Sequence, residues 1–374
     1  MQLLNTNNES LNINYMSIKN RQKKATNLLR KTIIPFFVLS GIIIVALLVF
    51  LRYQKVIFAP NVNTGDVKEA EIFIPSNPTF DEVVDILKFS GYIIDIDNFI
   101  WVAERKNYPS NVRGGLYILK DKMSNNELVN MLRAGFQTPV ILTFNCINSF
   151  EDLAGHLSKR LEPDSIQFLN YLKNEEIYEK FGFNKHTFIS MFIPNTYQIY
   201  WNTTPEAFAL RMHQEYKRFW NDERIKKAEQ AGLTPLEVSI LSTIVDEETN
   251  KNSEKPRVAG LYINRLRKGM NLQADPTIKF VLGDFSVTRI LTRDLKIDSP
   301  YNTYIYAGLP PGPIRMPSIQ GIEAVLNYEK NDYIFMCAKE DFSGYHNFAK
   351  TLEQHNRNAE KYRQALNNYL KNKH

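Results

Sequence analysis

Three acids stand side by side in LSTIVDEETN, residues 241–250: Asp246, Glu247 and Glu248. Upstream, Thr234, Pro235 and Glu237 form a helix start, with Thr at the N-cap, Pro at the first helical position and Glu at the third. At the helical period, Leu241, Ile244, Val245 and Glu248 fall on one stripe. Asp246 and Glu247 lie off it and are expected to face solvent. A carboxyl that continues an apolar stripe is costly to ionise, so its pKa rises and it can hold a proton near neutrality. A protonated carboxyl is what a general acid in glycoside cleavage must be. The competing reading is a helix-end Glu that pairs with Lys251, Lys255 or Arg257.

Other groups carry weaker signals. Asp275 precedes Pro276, a pattern that reads as a helix cap followed by a first-turn proline, with a second carboxylate role as the alternative. The stretch SPYNTYIYAGLPPGPIRMPS, residues 299–318, is dense in Pro, Gly and Tyr, as fixed loops lining sites are, although a structural loop has the same composition. Tyr197, Tyr200 and Trp201 are aromatics that stack on sugar faces or fill a core. The six histidines show no paired metal-ligand spacing, and HExxH, GxSxG, P-loop and GxGxxG patterns are all missing from the sequence. No metal or cofactor is therefore expected.

The elements that must hold these groups begin with an anchor. Six basic residues (Lys19, Arg21, Lys23, Lys24, Arg30 and Lys31) against Glu9 account for most of the formal charge of +6. The rest of the chain is nearly neutral, which argues against a nucleic-acid partner. Next comes IIPFFVLSGIIIVALLVFL, residues 33–51, an uncharged run long enough for the bilayer core of about 30 Å and lacking a cleavage-site pattern. The basic residues before it place residues 1–32 in the cytoplasm and the remainder outside. Residues 1–20, rich in Asn and Ser, read as a disordered tail. Two distant cysteines, Cys146 and Cys337, establish no disulfide, and Cys337 reads as a buried thiol.

Residues 52–68 read as a linker. Residues 69–145 alternate short strands and helices, a small α+β module suited to recognition or spacing, with a capping box at Ser124 and Glu127. Residues 146–374 form a larger α+β domain. Its first part is mostly helical, its centre carries the acids, and it ends in a hairpin from YIFMCA and GYHNF followed by a helix from Thr351.

Four ordered blocks carry a resemblance: IVDEET, VAGLYINRLRKGMNLQADPT, YNTYIYAGLPPGPI and GYHNF. Together they resemble the endolytic murein transglycosylase (YceG-like) family over about residues 70–370. PNTY, residues 194–197, is similar to a family element with Asp in place of Asn195, and Ser190 and Met191 depart from the Glu-Gly common there. On the family's pattern the catalytic Glu falls on Glu248, the residue the helical stripe selects.

The resemblance implies a single-pass, membrane-anchored lytic transglycosylase. It would cut peptidoglycan glycan strands internally, leave 1,6-anhydro-muramic acid ends, and so terminate nascent strands. It implies that Asn264, Gln273, Asp275, Tyr301, Asn302, Thr303, Tyr304 and His346 line the substrate cleft. It also implies a LysM-like glycan-binding role for residues 69–145, a bacterial cytoplasmic membrane as the setting, and peptidoglycan synthases as neighbours. Two other readings remain: a glycan hydrolase using Glu248 with Asp275 as base, and an inactive anchored wall-binding scaffold.

Overall fold

A computed structural model of the chain describes residues 3–28, 30–31, 34–145, 147–287 and 289–371. Cys146 and His374 lie outside the described residues, as does the start of the apolar run at Ile33. The chain divides into two compact units, residues 1–138 and 139–374.

The first unit begins with two helices, α1 (Leu3–Leu28) and α2 (Ile34–Phe58). The expected disorder over residues 1–20 is corrected by α1: the segment contains neither proline nor glycine, so nothing in it interrupts a helix. Helix α2 is long and apolar enough to cross a membrane. It runs past Leu51, so the first residues of the expected linker are helical, and Tyr53 meets the ring of Trp101 at 5.5 Å.

Strands β1 (Glu69–Ile74) and β2 (Gly115–Lys120) pair antiparallel, Glu69 opposite Lys120. Between them run α3 (Phe80–Ser90) and α4 (Ile96–Arg105), and α5 (Asn125–Ala134) follows. Helices α3 and α5 each start on a reciprocal capping box, Thr79 with Glu82 and Ser124 with Glu127, and each ends on a left-handed glycine. Ile74, Leu87, Phe99, Leu119 and Leu132 are among the side chains of this unit's own core.

The second unit opens with β3 (Pro139–Phe144), α6 (Phe150–Leu157), α7 (Ser165–Leu172), α8 (Glu175–Lys180) and β4 (Asn195–Tyr200). Strand β3 pairs with β4, Leu142 opposite Tyr197, and so clusters with this unit ahead of the boundary drawn from sequence. The pairing could not be read locally, because its partner lies far along the chain, within the part expected to be mostly helical. Phe144, Phe168, Phe188, Phe192 and Phe208 pack an aromatic core beneath this pair. Tyr197 is 5% exposed in that core, while Tyr200 is exposed.

Helices α9 (Pro205–Phe219), α10 (Asp222–Ala231), α11 (Pro235–Glu248), α12 (Lys255–Arg267) and α13 (Asp275–Leu282) follow. After a long loop come α14 (Ile319–Leu326), β5 (Phe335–Ala338), β6 (His346–Ala349) and α15 (Leu352–Lys371). Strands β5 and β6 form the expected antiparallel hairpin. The fold is thus α+β, with its described strands in three separate two-stranded pairs.

Candidate active site

Helix α11 is the central support. Thr234 accepts from the Glu237 amide, and the Glu237 carboxylate accepts from the Thr234 amide at 2.7 Å, fixing the helix start. From Val238 to Asp246 every residue is buried. Helices α10, α12, α13 and α14 all pack against α11.

That enclosure corrects the expectation that Asp246 and Glu247 face solvent. Asp246 is 9% exposed and pairs with Lys255 Nζ at 2.7 Å. Its other oxygen accepts from the Ser318 amide at 3.2 Å, just ahead of α14. A Cβ on Gly321 would stand 2.5 Å from that oxygen, so glycine lets α14 approach. Glu247 pairs with Arg315. A one-stripe rule presumes one buried face; α11 has neighbours on several sides, and each off-stripe acid has instead acquired a cation.

Glu248 stands apart from both. None of the basic residues weighed as its partner binds it: Lys255 pairs with Asp246, Arg257 with Glu329 at 2.9 Å, and Lys251 lies over the Tyr345 ring. Its contact is with the next helix, where the Tyr262 hydroxyl donates to Oε1 at 2.5 Å. Loss of solvent pushes the Glu248 carboxyl up to about 7. The Tyr262 hydrogen bond opposes this by favouring the ionised form, and the nearby Asp275 charge adds to the rise. Tyr262 itself, 2% exposed, has its pKa raised well above the ordinary value, first by burial and then by the Glu248 charge.

The Glu248 carboxyl borders a cavity of about 350 Å³. Tyr262, Arg265, Gln273, Asp275 and Tyr304 share the wall with it, and the β5–β6 hairpin and His355 close the far side. Asp275 is the first residue of α13 and makes no cap; Ala274 precedes it as the boundary residue. This corrects the capping expectation: the Asp275 carboxylate accepts instead from the Tyr304 hydroxyl at 2.5 Å. Burial, followed by the bond to Asp275, raises the Tyr304 pKa. Gln273 sits at φ 52°, a left-handed backbone that costs a non-glycine residue energy. Its amide donates to the Thr303 carbonyl at 3.0 Å, and its Oε1 accepts from Arg265 at 2.6 Å. His346 borders the cavity too, its amide and Nδ1 both against the buried Glu254 carboxylate at 2.8 and 2.9 Å.

Four residues that the resemblance assigned to the cleft do not border this cavity. Asn302 is fully buried; its Nδ2 donates to the carbonyls of Leu295 and Ile297 and its Oδ1 accepts from the Tyr304 amide. Thr303 accepts from the Ala274 amide and meets the Thr277 hydroxyl at 2.9 Å. Together they lock the 299–318 loop to the start of α13, which presents Tyr304 beside Asp275. Asn264 donates to the Asn331 and Tyr333 carbonyls, pinning the turn before β5. Tyr301 packs on Phe280 at 4.5 Å and reaches His186. Polar residues in a Pro- and Gly-rich loop thus serve the loop's own backbone.

Tyr262, Arg265, Glu254 and His355 escaped the sequence reading as site residues. For Tyr262 a signal existed: it was the one hydroxyl on the apolar face of α12, and a buried tyrosine hydroxyl seeks a partner. Cys337 also borders the cavity as a half-buried free thiol, its pKa raised by burial. Among the described residues no group of His, Cys, Asp and Glu is arranged to hold a metal ion.

The model of the YceG-like family matches residues 72–361. A Bacillus subtilis protein named endolytic murein transglycosylase is 29% identical over 331 residues, covering 84% of this chain and 90% of the relative. A Streptococcus pneumoniae protein of the same name is 26% identical over 362 residues, covering 86% of this chain and 64% of the relative, under two thirds of its length. The crystal structure of a YceG-like protein from Listeria monocytogenes superposes with a TM-score of 0.51 at 24% identity, covering 77% of this chain and 98% of that one. That last likeness concerns the fold alone.

Proposed function

The chain belongs to the YceG-like family, and on that premise we propose that it is an endolytic peptidoglycan lytic transglycosylase with Glu248 as its acid and base. The observation that carries the reading is a carboxyl on a cavity wall, bound by Tyr262 and pushed up to about 7, so that both protonation states are accessible near neutral pH. The names of the two curated relatives support the reaction class.

The chemistry balances with one carboxyl. Tyr262 donates to Oε1, so the acid proton resides on Oε2. Oε2–H protonates the oxygen linking muramic acid to glucosamine as that bond to the anomeric carbon breaks. Glu248, now ionised, takes the proton of the muramic 6-hydroxyl while that hydroxyl's own oxygen bonds the anomeric carbon. The product is a 1,6-anhydro ring and a free glucosamine 4-hydroxyl, and the carboxyl is protonated again. No water is consumed. The Tyr262 hydrogen bond stabilises the carboxylate stage, and Asp275 places negative charge near the developing oxocarbenium. Asn302, Thr303, Asn264 and Tyr301 act by holding the loop that carries Tyr304, the hairpin that carries His346 and, through the Thr303 carbonyl, the backbone of Gln273.

Helix α2 supports a single-pass anchor, and the basic residues before it support a cytoplasmic N-terminus in a bacterial cytoplasmic membrane. The strand–helix–helix–strand order of β1, α3, α4 and β2 supports a compact LysM-like recognition module. Anchored beside peptidoglycan synthases, such an enzyme would end the elongation of nascent strands.

Asp275 on the same cavity keeps a hydrolase as the second reading, with Asp275 activating a water. Mass spectrometry of glycan strands digested by the full chain in detergent separates the two. Anhydro-muramic ends are expected; reducing ends would replace this proposal with the hydrolase, and uncut strands that remain bound would replace it with a scaffold.

A further inference from the structure

A second cavity of about 510 Å³ opens at the same end of α11. Asn250, two residues beyond Glu248, borders it, as do Asp246 and Lys255. Lys255 and Tyr262, one on the wall of each cavity, both lie on α12 and stand about 10 Å apart along it. Its further walls come from Thr143 and Thr196 on the β3–β4 pair, whose hydroxyls meet at 2.8 Å, and from the segment leading into α14.

The lining discriminates between ligand classes. Both cations here are already neutralised, Lys255 by Asp246 and Arg315 by Glu247. An anion would have to compete with those carboxylates. The exposed groups around them are uncharged donors and acceptors: the amides of Asn145, Asn195, Asn250 and Gln320. Among the described residues, the side-chain amides of Asn250 and Gln320 have no hydrogen-bonding partner. Pro194, Met316 and Ile319 add apolar surface between the polar groups. Alternating amides and apolar patches, with charge internally balanced, match a neutral sugar, whose hydroxyl and acetamido groups surround apolar ring faces.

We propose that this second cavity is a further sugar-binding subsite, holding an uncharged, hydroxyl- and acetamido-bearing glucosamine residue of the same glycan strand whose scissile bond lies at Glu248. The inference rests on the transglycosylase reading for the identity of the strand. An enzyme that cuts inside a strand must grip it away from the bond. Here that grip comes from elements built on α11 and α12 but separate from the catalytic wall.

The test measures equilibrium binding of glycan strands, long and short, each with and without stem peptides, to the full chain carrying Glu248→Gln, in detergent. Two changes are compared in that background: Asn195→Ala with Gln320→Ala, removing amides, and Thr196→Trp, filling the cavity. Both are expected to weaken binding of long strands about tenfold, as lost hydrogen bonds of ordinary strength would. Strands too short to span both cavities should bind all forms alike. Unchanged affinity for long strands would overturn the proposal. A loss confined to strands that keep their stem peptides would overturn it in favour of a peptide site. Cleavage by the unaltered chain is scored separately, so failure of the transglycosylase reading and failure of the subsite remain distinct.

Discussion

Tyr262 on α12 donates a 2.5 Å hydrogen bond to Oε1 of Glu248 at the end of α11. The bond joins two helices across a loop and leaves the other carboxyl oxygen for the cavity. It also acts against the main influence on that carboxyl: burial favours the neutral acid and the phenol favours the carboxylate. Glu248 is poised because neither influence dominates completely.

Removing the phenol by Tyr262→Phe should therefore raise the Glu248 pKa further. The alkaline limb of the pH–rate profile is expected to move to higher pH, while kcat falls between about tenfold and a hundredfold as the carboxyl loses its orientation. A pH profile that keeps its limb in place would show that Tyr262 serves packing alone.

Stability should also depend on the Glu248 proton. Below about pH 4.5 the carboxyl is neutral in the folded and unfolded chains and adds no pH dependence. Between there and about 7 the unfolded chain ionises first, so folding takes up a proton and stability falls as pH rises. Above that window the loss is complete, at up to about 3 kcal/mol. Glu248→Gln removes it. The variant is expected to be more stable than the parent at pH 8 and nearly equal to it at pH 4, as read by denaturant unfolding at the two pH values.

Lys255→Met strips the cation from buried Asp246. Leaving that charge unpaired should cost about 3 kcal/mol. Adding Asp246→Asn to the same chain should recover much of the loss, and a double-mutant cycle of unfolding free energies measures the coupling. Independent, additive losses would show the pair to be dispensable.

Helical spacing put Leu241, Ile244 and Val245 on one stripe, and all three do face the core. The same spacing misplaced Asp246 and Glu247. Periodicity reports the direction of greatest apolarity, and α11 is enclosed on several sides. Capping boxes at Ser124 and Thr234 were legible since they are local chemistry within four residues. The β3–β4 pair was not, since Leu142 and Tyr197 meet only after three intervening helices. The loop residues Asn302 and Thr303 show the same limit: their types suit a ligand or a backbone equally, and only their neighbours, Leu295, Ile297 and Thr277, reveal which they serve.

The most direct test of the central claim is single-turnover cleavage of glycan strands by the full chain beside its Glu248→Gln form. The amide keeps the shape of the carboxyl and can still accept from Tyr262, but it can neither give nor take the proton. Formation of anhydro-muramic ends is expected to fall about a thousandfold while strand binding persists. Retention of those ends at the parent's rate would contradict the account, since the proton would then have to come from another group.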